Sequence, residues 1–379
     1  MMRVCYFGTY RAEYSRNRIM IEGLRRNGID VIECHEALWA GIDDRVAAAS
    51  GGWLRPRFWA RVLQTYVRLL RRYRQVGPYD VLIVGYPGQF DVFLARLLSW
   101  WRRRPMVWDV FMSIYLIALE RGLDTRSRLT LDLIRRAERL ACRLPDLLIL
   151  DTAEYVSWFS QTHGIQADRF RLVPTGADDR IFHPLSCPHP EDGLFRIIYY
   201  GTFIPNHGVE YIVEAARLLA DQEDIRFEMI GEGPDLPKAR AMAQRYGLKN
   251  IEFVPWLDQA ALVERVACAD ICLGAFGTTP QSLMTVQNKI YEGMAMGKPV
   301  ITGDSPAVRK VLIPDEEVCL CLRADGTSLA LAIRRLRDDP DLRRRVADRG
   351  YHRIKQAFTI EQIGRQYAAH LNALTNRPK

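Results

Sequence analysis

The feature that most narrows the fold of this chain is a series of short, unbroken apolar runs, each followed by a segment of helical periodicity. Residues 81–84 (VLIV) and 147–150 (LLIL) contain no polar residue at all. A strand with one wet face alternates polar and apolar side chains, so an unbroken run reads as a strand covered on both faces, as in a parallel sheet flanked by helices. Strands are expected at 3–7, 31–34, 81–84, 106–110 and 147–150, with helices at 17–27 and 129–143 among the connections. The alternation then restarts. Strands are expected at 196–200, 226–230, 251–253, 271–275 and 300–302, and helices at 209–220, 236–246, 262–268, 289–296 and 327–337, before a helical tail at 359–374.

Between the two series lies 174–193, which holds Pro174, Pro184, Pro188 and Pro190 and has no helical period, so it reads as an interdomain linker. A chain of 379 residues is too long for one ordinary core. The expected architecture is α/β: two tandem Rossmann-like, doubly wound domains, 1–180 and 181–357, facing across a cleft. In such sheets ligands bind outside the carboxyl ends of the strands.

Charge is divided unevenly between these halves. Residues 1–175 hold 27 Arg and no Lys against 18 acids, a balance of +9, and the remainder comes to −1. Any anionic surface the protein meets is therefore expected on the first half. The most apolar window, 81–101, is broken by Pro87, Gln89, Asp91 and Arg96, which excludes a spanning helix. No signal sequence is legible at the N-terminus. The eight cysteines show no metal-ligand spacing and read as buried free thiols, which suits a reducing cytoplasm.

Two segments carry chemistry. The run Tyr200-Gly201-Thr202-Phe203-Ile204-Pro205-Asn206-His207-Gly208 takes a strand through a glycine-bounded loop into a helix. Free N–H groups and the positive dipole end at that helix start can hold a diphosphate; an ordinary strand–helix loop would look the same. The second segment, residues 288–300, reads as a helix ending at Gly297 before a strand. Lys289 and Glu292 share one face of it, where the carboxylate can take two hydrogen bonds from a ribose and the lysine can neutralise phosphate. A surface ion pair accounts for that spacing equally well.

Together these segments resemble family 4 of the retaining glycosyltransferases, which have the GT-B architecture. Residues 201–208 resemble the family's donor-phosphate loop, and Ile230-Gly231-Glu232-Gly233-Pro234 its strand-end turn. Residues 250–256 with Ala269-Asp270-Ile271 resemble the region lining the nucleobase, and 288–300 its nucleotide-binding helix. Val173-Pro174-Thr175-Gly176-Ala177-Asp178 with Phe182-His183-Pro184 resembles the hinge, and 358–379 the helix that crosses back to the first domain. The resemblance implies a donor site drawing on Gly8, Thr9, Gly201, Thr202, Asn206, Gly208, Gly231, Glu232, Trp256, Leu257, Thr278, Asn288, Lys289 and Glu292. It implies reacting groups among Glu292, Lys289, His207 and Asp109, and acceptor contacts from Tyr10, Arg18 and Ser113. The donor would be a UDP- or GDP-sugar, with no obligatory metal and no other cofactor. For Asp109 a helix cap is an equal alternative.

Three positions depart from the family pattern. Thr202 and His207 stand where cations are common, and Met284 where the first of two glutamates is common. Diphosphate charge would then fall to Lys289, loop N–H groups, or Arg11, Arg16 or Arg18. The same departures leave room for an inactive nucleotide-sugar-binding protein, and a nucleotide-sugar epimerase of the same form is the rival enzyme. A nicotinamide oxidoreductase fits less well, since the first strand is not followed by a GxGxxG with a later acid.

Residues 53–74 (WLRPRFWARVLQTYVRLLRRYR) interleave seven arginines with Trp53, Phe58, Trp59 and Tyr66, and 94–104 repeat the theme. Arginine beside tryptophan on an amphipathic helix suits the interface of an anionic membrane, and an outer helix of the first domain would also account for it. A cytoplasmic protein peripheral to the membrane, using a lipid-linked acceptor, is the expectation. The aromatics follow a helix face rather than a stacking platform, which argues against nucleic acid.

Overall fold

The computed structural model describes residues 1–38, 56–187 and 192–376. Internal contacts divide the chain into two units, Met1–Pro174 with Ile360–Lys379, and Thr175–Thr359.

The first unit runs β1 (Arg3–Gly8), α1 (Ser15–Arg26), β2 (Asp30–His35), α2 (Pro56–Gln75), β3 (Val81–Val84), α3 (Asp91–Arg102), β4 (Met106–Asp109), α4 (Ile114–Glu120), α5 (Leu123–Arg126), α6 (Arg128–Ala141), β5 (Leu147–Leu150), α7 (Ala153–His163) and β6 (Phe170–Leu172). Its strands are all parallel, in the order β2-β1-β3-β4-β5-β6. The apolar runs that announced it, β3 and β5, are buried along their whole length.

The second unit runs β7 (Phe195–Tyr200), α8 (Val209–Leu218), β8 (Ile225–Ile230), α9 (Leu236–Arg245), β9 (Ile251–Val254), α10 (Gln259–Ala267), β10 (Ile271–Leu273), α11 (Pro280–Met284), α12 (Asn288–Ala295), β11 (Val300–Gly303), α13 (Pro306–Val311), β12 (Cys319–Cys321), α14 (Gly326–Asp338) and α15 (Pro340–Ala357). It too is a parallel sheet, ordered β12-β11-β10-β7-β8-β9. Chain order reverses beside β1 in one sheet and beside β7 in the other, which makes the loops after those strands the natural ligand edge of each. No helix among the described residues is long and apolar enough to cross a membrane.

Three expectations need correction. The proline-rich stretch is not all free linker: Ala177 and Phe182 are buried in the second unit, and the Ala177 N–H donates to the Phe358 carbonyl at 3.0 Å. Cys268 is not a free thiol but is disulfide-bonded to Cys187, while the other six cysteines are free and buried. Helix α15 was not foreseen, because its arginines crowd every turn and the buried stripe is thin: Leu342, Val346, Ala347, Gly350 and Ile354.

The last helix, α16 (Ile360–Thr375), packs against α1 in the first unit. The two cross at glycines: a Cβ on Gly23 would lie 2.7 Å from the Ile360 carbonyl oxygen and 2.8 Å from the Gly364 Cα. Alanine is intrinsically better than glycine inside a helix by about 1 kcal/mol, but overpacking against backbone costs roughly 1–3 kcal/mol. Gly23→Ala should therefore destabilise the protein, read as a lower urea midpoint; an unchanged or higher midpoint would mean that the helices can separate at little cost.

Candidate functional site

At the carboxyl edge of the second sheet the turns after β7 and β8 interlock. Gly201 donates its N–H to the Ile230 carbonyl at 3.0 Å, and Phe203 to the Glu232 carbonyl at 2.8 Å. This closeness requires glycine. Gly231 has φ +132°, and a Cβ there would strike the Gly201 carbonyl oxygen; one on Gly233 would sit 2.6 Å from the Phe203 nitrogen. The far end of the loop is fastened as well. Gly208, at φ +59°, opens α8 with no room for a side chain beside the Gly277 nitrogen, and the Phe276 N–H donates to the His207 carbonyl at 2.9 Å. Arg323 ties the neighbouring loop down: Nη1 donates to the Gly277 carbonyl at 2.7 Å and to Ser282 Oγ at 2.8 Å, and Ser282 Oγ donates to the Asn206 carbonyl at 2.6 Å.

Lys289, in the first turn of α12, reaches under this loop and is buried. Its Nζ lies 4.2 Å from the centre of the Tyr199 ring, 3.3 Å from His207 Nδ1 and 2.9 Å from where a Gly201 Cβ would be. Burial pulls the amine down to about 7, opposed by the attraction of Glu292. His207 is held far below its ordinary value by burial and then by Lys289, so its ring is neutral. Nδ1 lies 2.6 Å from the Thr202 carbonyl, which can only accept, so Nδ1 carries the proton and Nε2 is left as an acceptor. Glu292 is half-buried and shares a hydrogen bond with the Tyr200 hydroxyl.

The sequence-predicted donor residues of this unit thus lie along one edge, on the loops after β7, β8, β9 and β10 and at the start of α12. Gly201, Thr202 and Asn206 are partly accessible; Glu232, Trp256 and Thr278 are exposed; Leu257 and Asn288 are intermediate; Gly208 and Gly231 are buried in the interlock. Tyr199 and Arg323 were not anticipated. Tyr199 reads as one more apolar strand position, and Arg323 as a surface charge after a strand.

The first unit treats its predicted residues differently. Thr9 is buried, with its N–H donating to Asp91 Oδ2 at 2.7 Å and its hydroxyl to the same carboxylate. A Cβ on Gly8 would sit 2.6 Å from that oxygen. Asp91 also accepts from Tyr66 at 2.7 Å, and burial pushes its carboxyl up to about 6. Tyr10 is not on an open face: it is fully buried, edge-on to Tyr6, with its hydroxyl donating to Glu33. Ser113 caps α4 by accepting from the Leu116 N–H at 3.0 Å and donates to Glu138 at 2.5 Å. Asp109 caps nothing. It closes β4 and accepts from Arg16 Nε and Nη2 at 2.9 and 2.8 Å, both side chains being fully buried. Arg16 is therefore not available to a ligand, and Arg18 is half-buried. Among the described residues no group of three or more His, Cys, Asp or Glu side chains is placed to hold a metal ion.

A family model described as Glycosyl transferases group 1 matches residues 195–339, within the second unit. The chain is 24% identical over 243 residues to MMP alpha-(1->4)-mannosyltransferase of Mycolicibacterium hassiacum, an alignment covering 62% of this chain and 56% of that one. The chain thus spans little more than half the length of that relative. Among solved structures, sucrose-phosphate synthase from Thermosynechococcus elongatus superposes with a TM-score of 0.72 at 17% identity, covering 99% of both chains. Anabaena HepE in complex with UDP-glucose gives 0.69 at 17% identity, covering 98% of this chain and 100% of the other. At these identities the likeness is one of fold: each is a GT-B neighbour of the two parallel sheets.

Two measurements check the charges. Removing one partner of a buried ion pair strands the other, at a cost of about 3–5 kcal/mol, so Asp109→Ala should lower stability by that order in urea unfolding while Arg16→Met/Asp109→Leu recovers much of it. An unfolded chain keeps the Lys289 proton up to the ordinary lysine range and the folded one releases it near 7, so folding gains stability from this residue as pH rises between those values. Melting of Lys289→Met against wild type should show the variant's relative advantage largest near pH 7 and shrinking by pH 9.5.

Proposed function

We propose that this chain is a glycosyltransferase that moves a sugar from a UDP- or GDP-sugar to an acceptor with retention of anomeric configuration. The observation that carries the reading is the Lys289 amine, desolvated under the Gly201 turn at the carboxyl edge of a sheet whose residues 195–339 match a glycosyltransferase family model. Transfer leaves a nucleoside diphosphate, and negative charge grows on its β-phosphate as the glycosidic bond breaks. A preorganised cation and loop N–H groups in a dry pocket stabilise that charge with no reorganisation at the moment of reaction. In this reading Lys289 takes the place of the cations missing at Thr202 and His207, and Glu292 accepts hydrogen bonds from the ribose. Neutral His207 offers Nε2 to a hydroxyl of the transferred sugar. Asp109, committed to Arg16, is left out of the reacting set. The acceptor is read as lipid-linked and presented at an anionic membrane face, in keeping with the arginine excess of the first half.

Thermal melting with UDP and GDP, followed by assay of nucleoside diphosphate release from a panel of nucleotide sugars, tests the assignment. Lys289→Ala should weaken nucleotide affinity by about tenfold or more, the order expected for a charge-assisted contact. The anomer of the product, read by NMR, tests retention. Absence of any nucleotide shift would remove the proposal. A bound diphosphate favours the ammonium form and raises Lys289 above 7, so binding takes up a proton and affinity should decline as pH climbs from 7 to 9. The decline should flatten in Lys289→Met; an equal decline in both would clear the lysine of this role.

A further inference from the structure

The helices that cover one side of the first sheet are apolar twice over. Helix α6 turns Leu131, Glu138 and Ala141 inward, yet its outward stripe is also leucine: Leu129 is 83% exposed, Leu133 62% and Leu140 52%. A helix that is apolar on its outer stripe as well has a second surface to satisfy. Helix α2 repeats the arrangement, with Thr65, Leu69 and Tyr73 inside and Trp59, Leu63 and Val67 outside at a four-residue spacing. Helix α3 does so with Val92, Ala95 and Ser99 inside and Leu97, Trp100 and Trp101 outside, the last 74% exposed.

The connections that carry these three stripes fall on one side of the sheet. In the order β2-β1-β3-β4-β5-β6, the step from β1 to β2 runs one way and the steps β2 to β3, β3 to β4 and β4 to β5 all run the other. Right-handed crossovers therefore put α1 on one face of the sheet and α2, α3 and α6 together on the opposite face. The Tyr66–Asp91 hydrogen bond joins α2 to the start of α3 directly.

Charge selects the occupant. Residues 56–75 carry six arginines and no acid, and 91–104 carry four with only the buried Asp91. Residues 128–143 carry five arginines, with Asp132 the only exposed acid. Exposed tryptophan and leucine tips rimmed by arginine match a lipid headgroup boundary of negative charge, which takes up apolar tips to a shallow depth and attracts each basic rim. We propose that this three-helix layer, α6 included, docks the first unit on an anionic lipid bilayer. The proposal deepens the reading of a membrane-side acceptor and rests on it only for its purpose, since docking is measured without turnover.

The test is flotation of the full chain with vesicles of phosphatidylcholine alone or with phosphatidylglycerol added. Wild type should float with the anionic vesicles at low salt and be released by high salt. Leu129→Gln/Leu133→Gln/Leu140→Gln should cut that binding by roughly tenfold, with an unchanged melting temperature showing that it is folded. Arg128→Glu/Arg136→Glu provides a second variant, expected to lose anionic binding in the same way. Equal flotation with both vesicle types, or variants that float like wild type, would overturn the proposal. So would a dimer in sedimentation velocity that the leucine variant dissociates, because a second copy would then be the occupant. A chain that floats as expected but shows no melting shift with UDP or GDP would instead count against the donor site.

Discussion

Keeping the Lys289 amine out of water is the constraint around which the edge of the second sheet is arranged. An ammonium group is costly to desolvate, and here the compensation from Glu292 is partial, so the amine sits poised near neutrality. It can approach the loop backbone only because position 201 has no side chain, and the loop holds its shape only because positions 231 and 233 have none either. Tyr199 forms the floor, and His207, neutral and tethered to Thr202, forms the wall. A change at any one of these positions alters the medium in which the lysine titrates.

The two units use their loop-edge charges in opposite ways. In the first, Asp91 fastens the turn after β1 to α3, and Arg16 is locked between Asp109 and the Val173 carbonyl, with burial also pushing the Asp151 carboxyl up to about 7 despite the pull of Arg16. Those charges are internal fasteners, satisfied by the fold itself. In the second unit the corresponding cation has an aromatic ring and a neutral imidazole for company. A group left short of compensation in a dry corner is the arrangement that favours a charged ligand, and the asymmetry is why the proposed donor site falls on one sheet and not on the other.

The strand series and the two-unit plan were legible because burial on both faces leaves a mark that needs no partner to interpret: β3 and β5 are apolar throughout. The 201–208 loop and the helix bearing Lys289 were each legible from glycine placement and helix periodicity, which are local properties; that the two belong to one site was implied only by the family resemblance. What escaped were features set by distant approach. Tyr10, Asp109 and Arg16 look like loop-edge chemistry in the sequence, and only the packing of β1, β4 and α1 shows them facing inward. Asp91 looked like an interruption in an apolar window and proved to be an anchor for Thr9. Cys187 and Cys268 stand 81 residues apart, and no spacing rule connects them. Helix α15 hid behind its arginines, since five buried residues in eighteen give a weak period.

The return of α16 to α1 carries a consequence for how the molecule is made. Asn27 donates to the Glu361 carbonyl at 3.0 Å, and His370 lies 3.2 Å from the Leu172 carbonyl, so the first unit is closed by residues translated after the whole of the second. During synthesis the second unit has its entire sequence first, while α1 waits with its glycine seam open. A chaperone that recognises exposed apolar helix faces would therefore meet the N-terminal unit, and a released chain lacking residues 360–376 would have its later-made half complete in sequence and its earlier-made half not.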